Sequence, residues 1–351
     1  MASLRGKRGQ ESPSWAVGMA ERRSEREIIR AISAQLAGEG NGVLQGIGDD
    51  CAVLRPAGDR LQVWTVDTLL EGVHFDLRWH PAKLLGRKAA AVNLSDIAAM
   101  GATPRFALLS LGLPAGQTAE WVDGFMAGFL ESLAAAQVML IGGDTVQSNG
   151  PLSLSVTVGG EVAEGLVLYR SGAQPGDLIW VSGPLGEAAA GLALCREGRG
   201  ADDPAWRQLV AAHLDPEPEL ALGPLLAASG HVHAMMDLSD GLATDLAHLC
   251  AASGVGAEVV AEQLPLSQPL RAAAVRLQHA ALDWALRGGE DYRLLFTAPA
   301  GATLALESLT AERLGRGICC VGRIVEGSGV VLCDGSRRQD ISFQGYDHFA
   351  S

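Results

Sequence analysis

Residues 46–54 read GIGDDCAVL. Two carboxylates, Asp49 and Asp50, stand side by side after a glycine and before an apolar run. Neighbouring like charges repel, and glycine weakens any regular element around them. In an extended segment adjacent side chains point to opposite faces. The two aspartates are therefore not expected to act as equals. Asp50 reads as a direct cation ligand and Asp49 as a turn or supporting residue.

The same texture recurs along the chain. Asp67, Glu71, His74 and Asp76 lie in TVDTLLEGVHFD, and Asp96 in NLSDIAAMGA. Asp144 lies in IGGDT, Asp237 and Asp240 in MMDLSDG, and Glu290 and Asp291 in GGEDY. Any one of these could be a turn or a helix N-cap, roles that Asp and Ser fill routinely. Both readings stay open for Asp96 and Asp240 taken singly. Repetition at the ends of apolar strands argues for chemistry. A hard cation such as Mg²⁺ takes one or two carboxylates, with substrate phosphate and water completing the shell.

The surroundings fit an α/β or α+β chain. LQVWTVDTLL, RFALLSLGLP and SLSVTVGGEV read as strands, and TAEWVDGFMAGFLESLAAAQ as a long helix. PAKLLGRKAAAVNLSDIAAMGA starts Ala-rich and helical, and VMLI reads as a short buried strand before the glycine pair of IGGDT. EREIIRAISAQL is amphipathic, and residues 1–24 read as a flexible extension. The texture changes near residue 160, which suggests domains over 25–160 and 161–351; 351 residues suit two domains.

Composition narrows the function. The formal net charge is −13, which argues against binding to a phosphate backbone or an anionic membrane surface. No apolar run reaches the roughly 18–20 residues of a membrane span. The six cysteines form no CxxC pair and read as small buried hydrophobes of a reducing compartment, which suggests a cytoplasmic protein. There is no GxxxxGK[ST] lysine loop and no protein-kinase signature. A nucleotide would have to be held by metals, glycine backbone and an arginine. Gly142 and Gly143 would let main-chain N–H groups approach a phosphate, with Asp144 on a bridging metal. SGPLGEAAAGL is either an anion site at a helix N-terminus or a tight strand–helix turn. Arg170 in LYRSGAQPGD is either a surface charge or a phosphate clamp. His231 and His233 suit a strand edge.

Taken together and in order, GIGDDCAVL, TVDTLLEGVHF, AVNLSDIAAMGATP, LIGGDT, RSGAQPGD, MDLSDGLATDL, GGEDY and GYDHF resemble the thiamine-monophosphate kinase family. That family belongs to the superfamily that includes aminoimidazole ribonucleotide synthetase. The resemblance implies a two-domain PurM-like fold, with an N-terminal sheet that builds a homodimer and a C-terminal α/β domain. It implies ATP-dependent phosphorylation of thiamine monophosphate to thiamine diphosphate, with several Mg²⁺ ions and no phosphoenzyme.

It also carries residue roles. Asp50, Thr65, position 66, Asp67, Asp96, Asp144, Asp237 and Asp240 match metal positions, with Asp96, Asp144 and Asp240 central to catalysis. Position 66 is Val66, so a ligand there would be its backbone carbonyl. Gly143, Asp144, Arg170 and Ser239 match ATP contacts. His74, Glu290 and Phe343 match substrate contacts, Phe343 standing where the family often has Trp. A sister activity such as aminoimidazole ribonucleotide synthesis is the main alternative, and a non-catalytic nucleotide- and Mg²⁺-binding maturation protein is another.

Overall fold

The computed structural model describes residues 43–45, 49–56, 58–199 and 203–346. The chain divides into two units: residues 38–346, and a second formed by 1–37 with 347–351, which lies outside the described residues. The expected extension over 1–24, the amphipathic segment 25–36 and the last three residues of GYDHF fall there.

The first half builds a six-stranded sheet. Its strands are β1 (Val43–Gln45), β2 (Ala52–Leu54), β3 (Arg60–Leu70), β4 (Thr103–Pro114), β5 (Met139–Ser148) and β6 (Ser153–Ala163), in the order β1-β2-β3-β6-β4-β5. All neighbours are antiparallel except β4 and β5. Helices α1 (Ala82–Ala99) and α2 (Ala119–Ala135) accompany it. The α2 start is fixed by Thr118, whose hydroxyl accepts the Trp121 N–H at 3.2 Å. Trp121, Phe125 and Phe129 then stack at four-residue spacing, with centroids 5.5 and 6.0 Å apart.

The two helices cross where glycine removes bulk. A Cβ on Gly86 would lie 2.0 Å from the Phe125 carbonyl oxygen, and one on Gly128 would lie 1.8 Å from that of Lys83. Leu85, Val92 and Ile97 of α1 join Phe125, Phe129, Val156 and Val158 in one core.

The second half builds a seven-stranded sheet in the order β13-β12-β9-β11-β7-β10-β8. The strands are β7 (Asp177–Val181), β8 (Ala234–Asp237), β9 (Gly256–Val260), β10 (Leu294–Pro299), β11 (Cys319–Val325), β12 (Gly329–Asp334) and β13 (Arg337–Asp340). Only β9 and β12 run parallel. Both faces are covered, which is why β7 and β10 are apolar at successive positions. Ile179, Val181 and Leu295 face one core, while Trp180, Leu294 and Phe296 face the other. The helices of this half are α3 (Glu187–Arg196), α4 (Arg207–Leu214), α5 (Leu222–Ser229), α6 (Leu242–Ser253), α7 (Gln268–Arg276), α8 (Ala281–Arg287) and α9 (Thr303–Leu314); α3, α4 and α7 pack together in a cluster of their own with Trp284 of α8.

One element differs from its sequence reading. VMLI is not a short buried strand: β5 runs ten residues through the glycine pair and is exposed along most of its length. Its Met139, Ile141 and Val146 are exposed, while Leu140 packs against the core. Phe106 pairs with Met139, and Leu108 lies between Gly142 of β5 and Thr157 of β6, whose other neighbour is Val66. Val66, Phe106, Leu108, Met139 and Ile141 are all exposed on this sheet, Val66 to 62% and Met139 to 65%.

Candidate active site

Three strand or helix ends converge on a carboxylate cluster. Asp50 enters just before β2, Asp96 from the last turn of α1, and Asp237 from the end of β8. One oxygen from each lies within 4.8 Å of the others. Asp50 and Asp237 are buried, and Asp96 is half-buried. Asp67, near the end of β3, adds its field to Asp96.

Each of the three clustered carboxylates has a partner that aims it. The Thr65 hydroxyl donates to Asp96 Oδ2 at 2.5 Å, and the Ser95 hydroxyl donates to Asp237 Oδ2 at 2.6 Å. The Asn93 side-chain oxygen accepts the Asp67 N–H at 3.0 Å. Arg170 donates from Nε to Asp50 Oδ1 at 3.1 Å, and its Nη2 also binds that oxygen. Asp50 Oδ2 is buried without a hydrogen-bond partner. Asp49 is differently placed: its oxygens accept the N–H groups of Asp50 (2.9 Å) and Arg170 (3.1 Å).

The electrostatics follow from burying like charges together. Burial, then the field of Asp50, pushes Asp67 up to about 6 and Asp237 up to about 8. Burial, then Asp50, pushes Asp49 up to about 7. Asp96 is driven well above the carboxylate range by burial and then by Asp67, Asp237 and Asp50. Two ionised carboxylates 4.8 Å apart cost about 3 kcal/mol at an effective dielectric near 20. Buried acidic oxygens that crowd one another, with one lacking any donor, match the donor set of a hard divalent cation.

The remaining sequence-derived residues have settings of their own. Asp144 sits on the exposed strand β5 opposite Ser110, and its Oδ1 accepts the Thr145 N–H at 2.8 Å. It is not one of the three clustered carboxylates. Gly143 beside it leaves no room for a side chain, since a Cβ there would lie 1.9 Å from the Leu109 carbonyl oxygen. Ser239 and Asp240 lie in the turn between β8 and α6. The Ser239 carbonyl accepts the Glu290 N–H at 2.7 Å, and the Asp240 N–H donates to Asp245 at 3.2 Å. Val66 faces outward on the sheet.

His74 Nδ1 accepts the Leu70 N–H at 3.0 Å, which leaves Nε2 to carry the proton of the neutral ring. Phe343 meets His248 edge-on, with centroids 5.2 Å apart. Glu290 pairs with Lys88 Nζ at 2.7 Å and His213 Nδ1 at 3.0 Å.

Some site residues were not read from sequence. Ser95 and Asn93 precede Asp96 in the same NLSD motif, yet nothing in its pattern marks them as supports. Lys88 stands alone in an Ala-rich run, and only the packing of α1 places it inside. The anion expected at SGPLGE is the protein's own: Asp291 accepts the N–H groups of Gly186 (2.6 Å) and Ala188 (3.3 Å) at the start of α3.

Comparison with known proteins places this arrangement. "AIR synthase related protein, N-terminal domain" matches residues 48–162, and the corresponding C-terminal domain matches residues 174–334. The thiamine-monophosphate kinase of Escherichia coli K12 is 40% identical over 308 residues, covering 87% of this chain and 92% of that protein.

The chain is an enzyme of the thiamine-monophosphate kinase family.

Two solved structures of the family superpose on it with its PurM-like α/β fold. The Stenotrophomonas maltophilia K279a thiamine-monophosphate kinase is 44% identical, with a TM-score of 0.73 over 87% of this chain and 94% of that one. A structure described as AaThiL complexed with AMPPCP and TMP is 33% identical, with a TM-score of 0.79 over 93% of this chain and 97% of that one. That thiamine-monophosphate kinase family member therefore holds an ATP analogue and thiamine monophosphate together. Among the described residues of the present chain, no helix is long and apolar enough to cross a membrane.

Proposed function

We propose that this chain transfers the γ-phosphoryl group of ATP to the phosphate of thiamine monophosphate, directly and in line, with several Mg²⁺ ions assisting. The observation that carries this reading is the carboxylate cluster of Asp50, Asp96 and Asp237, with its unpartnered Asp50 oxygen. Family membership supports the substrate pair.

Asp50, Asp67, Asp96 and Asp237 would hold Mg²⁺ at the cluster, with Asp144, Asp240, the Thr65 hydroxyl and the Val66 carbonyl as further donors. Bound Mg²⁺ supplies charge neutralisation where two phosphate-bearing substrates meet. The chain's own part is positioning. Thr65 and Ser95 fix the rotamers of Asp96 and Asp237, so the donor set exists before substrate arrives. Gly143 brings backbone close to the nucleotide phosphates, and Ser239 approaches from the other sheet. Arg170, held on one oxygen of Asp50, would offer the rest of its planar fork to a phosphate. His74, Glu290 and Phe343 form the thiamine side. A phosphate acceptor is already nucleophilic near neutral pH, so the site needs no general base.

The exposed apolar face of β3, β4 and β5 supports a homodimer built across that sheet. The family domains also support a division near residue 160, and the net charge of −13 with six free cysteines supports a cytoplasmic enzyme that binds neither nucleic acid nor membrane.

The test is ATP consumption by the purified chain with thiamine monophosphate, thiamine or an aminoimidazole ribonucleotide precursor. Turnover with thiamine monophosphate is expected. Turnover with the precursor alone would overturn the assignment.

A further inference from the structure

Lys88 lies near the middle of α1 with its side chain fully buried. Its ammonium is 2.7 Å from Glu290 Oε1 and donates to the His213 carbonyl at 3.1 Å. His213, also buried, places Nδ1 3.0 Å from Glu290 Oε2. Lys88 thus engages one carboxylate oxygen from behind, and the His213 ring lies against the other. The Glu290 side chain keeps 22% of its surface exposed, whereas Lys88 and His213 keep essentially none. The cluster is a buried base with one acidic tip at the surface.

The backbone that carries the tip is strained. Glu290 has φ 70° and Tyr292 φ 47°, left-handed values that cost non-glycine residues about 1–3 kcal/mol each. The segment is held there by the Glu290 N–H on the Ser239 carbonyl and the Tyr292 N–H on the Leu238 carbonyl, at 2.7 and 2.8 Å. Those acceptors belong to the LSD turn that carries Ser239 and Asp240. Burial, then Lys88, drives the His213 imidazole below its ordinary range, so a neutral ring lies beside the carboxylate.

A buried ion pair is poor value for stability alone, since well-packed apolar side chains of similar volume do as well or better. Strain and a desolvated charge spent on one aimed carboxylate point to recognition. Lys88 and Asp96 also share α1, eight residues apart, a rise of about 12 Å. The helix therefore sets the distance between the acidic tip and the carboxylate cluster.

We propose that Lys88 and His213 are positioning residues that hold Glu290 ionised and aimed at the cationic, hydrogen-bond-donating end of the substrate, at a distance from Asp96 fixed by α1. This rests on the reading of thiamine monophosphate as substrate, whose thiazolium and aminopyrimidine supply that chemistry.

Steady-state kinetics on the full chain tests it, with K88M, E290Q and the double variant K88M/E290Q. K88M is expected to raise KM for thiamine monophosphate about tenfold or more while KM for ATP moves less than about twofold. The double variant should be no worse than E290Q alone, because Lys88 acts through Glu290. H213Q, alone and with E290Q, gives the same cycle if K88M does not fold. Losses that multiply, a parallel rise in KM for ATP, or an E290Q enzyme with unchanged KM for thiamine monophosphate would overturn the inference. A wild type inactive on thiamine monophosphate would overturn the functional reading and this inference with it. An active wild type with multiplying losses overturns the inference alone.

Discussion

Arg170 donates two hydrogen bonds to one oxygen of Asp50, and the other oxygen of Asp50 has no donor at all. The arginine thus compensates half of a buried carboxylate and leaves the rest for a cation. Removing one partner of a buried pair strands the other. Arg170 keeps some solvent contact, so R170M is expected to cost about 2–3 kcal/mol in urea unfolding with chelator present. Mg²⁺ should restore more stability to R170M than to the wild type. An unchanged unfolding midpoint in chelator would show that Asp50 does not lean on Arg170.

Asp96 receives the fields of three other aspartates. D96N removes charge from a crowded site without changing its shape. Turnover should fall by at least about a hundredfold, because a cation ligand is lost. At a pH high enough to ionise Asp96, the metal-free variant should melt higher than the metal-free wild type, since repulsion is relieved. Wild-type turnover by D96N at limiting Mg²⁺ would remove Asp96 from the metal site.

The raised carboxylates fix the sign of a pH effect. Asp67, Asp49 and Asp237 stand at about 6, 7 and 8 in the folded chain, against an ordinary 3.8. The folded state binds these protons more tightly than the unfolded state, so their stabilisation is complete below pH 3.8 and fades as pH rises towards 8. With chelator, this contribution should be lost progressively between about pH 4 and 8. Mg²⁺ should cancel the loss, so the melting-temperature gap between Mg²⁺ and chelator widens with pH over that window. A gap independent of pH would contradict the proton–cation exchange.

The two glycines of IGGDT should not tolerate alanine equally. At Gly143 a Cβ would lie 1.9 Å from the Leu109 carbonyl oxygen, within the β4–β5 ladder itself. At Gly142 the nearest atom is Leu108 Cδ2 at 3.3 Å, a side chain that can turn aside. G143A is expected to destabilise by about 1–3 kcal/mol and raise KM for ATP, while G142A costs under about 1 kcal/mol. Equal thermal shifts in the two variants would contradict this.

Met139 sits in the exposed apolar face of the first sheet. M139E places a charge there without disturbing a buried contact. Sedimentation should show a wild-type dimer and an M139E monomer. A monomeric wild type at micromolar concentration would assign that face another role.

Much of the first half was legible in sequence because its strands alternate. SLSVTVGGEV and RFALLSLGLP lie within β6 and β4, and the Thr118 cap starts α2. The misreading of β5 has a physical cause. The apolar run VMLI does not say which of its side chains the rest of the chain covers: Val138 is buried, while Met139 and Ile141 are exposed. In the second half, β9, β12 and β13 escaped notice because they are short and interrupted by Gly, Glu and Asp. The carboxylates were visible as motifs. Their supports were not, because Lys88 and His213 meet Glu290 across long sequence separations that no local pattern encodes.

Helix α1 has one further consequence. It packs on the first sheet through Val92 and Ile97, and its C-terminal end meets α5 of the second half so closely that a Cβ on Gly223 would lie 2.0 Å from the Ala98 carbonyl oxygen. Its Lys88 and Ser95 side chains reach Glu290 and Asp237 in that second half. Neither sheet can lose this helix and keep its own interior. Heating should therefore melt residues 43–346 in one calorimetric transition, and a fragment ending near residue 160 should be soluble only if something else covers the far side of α1.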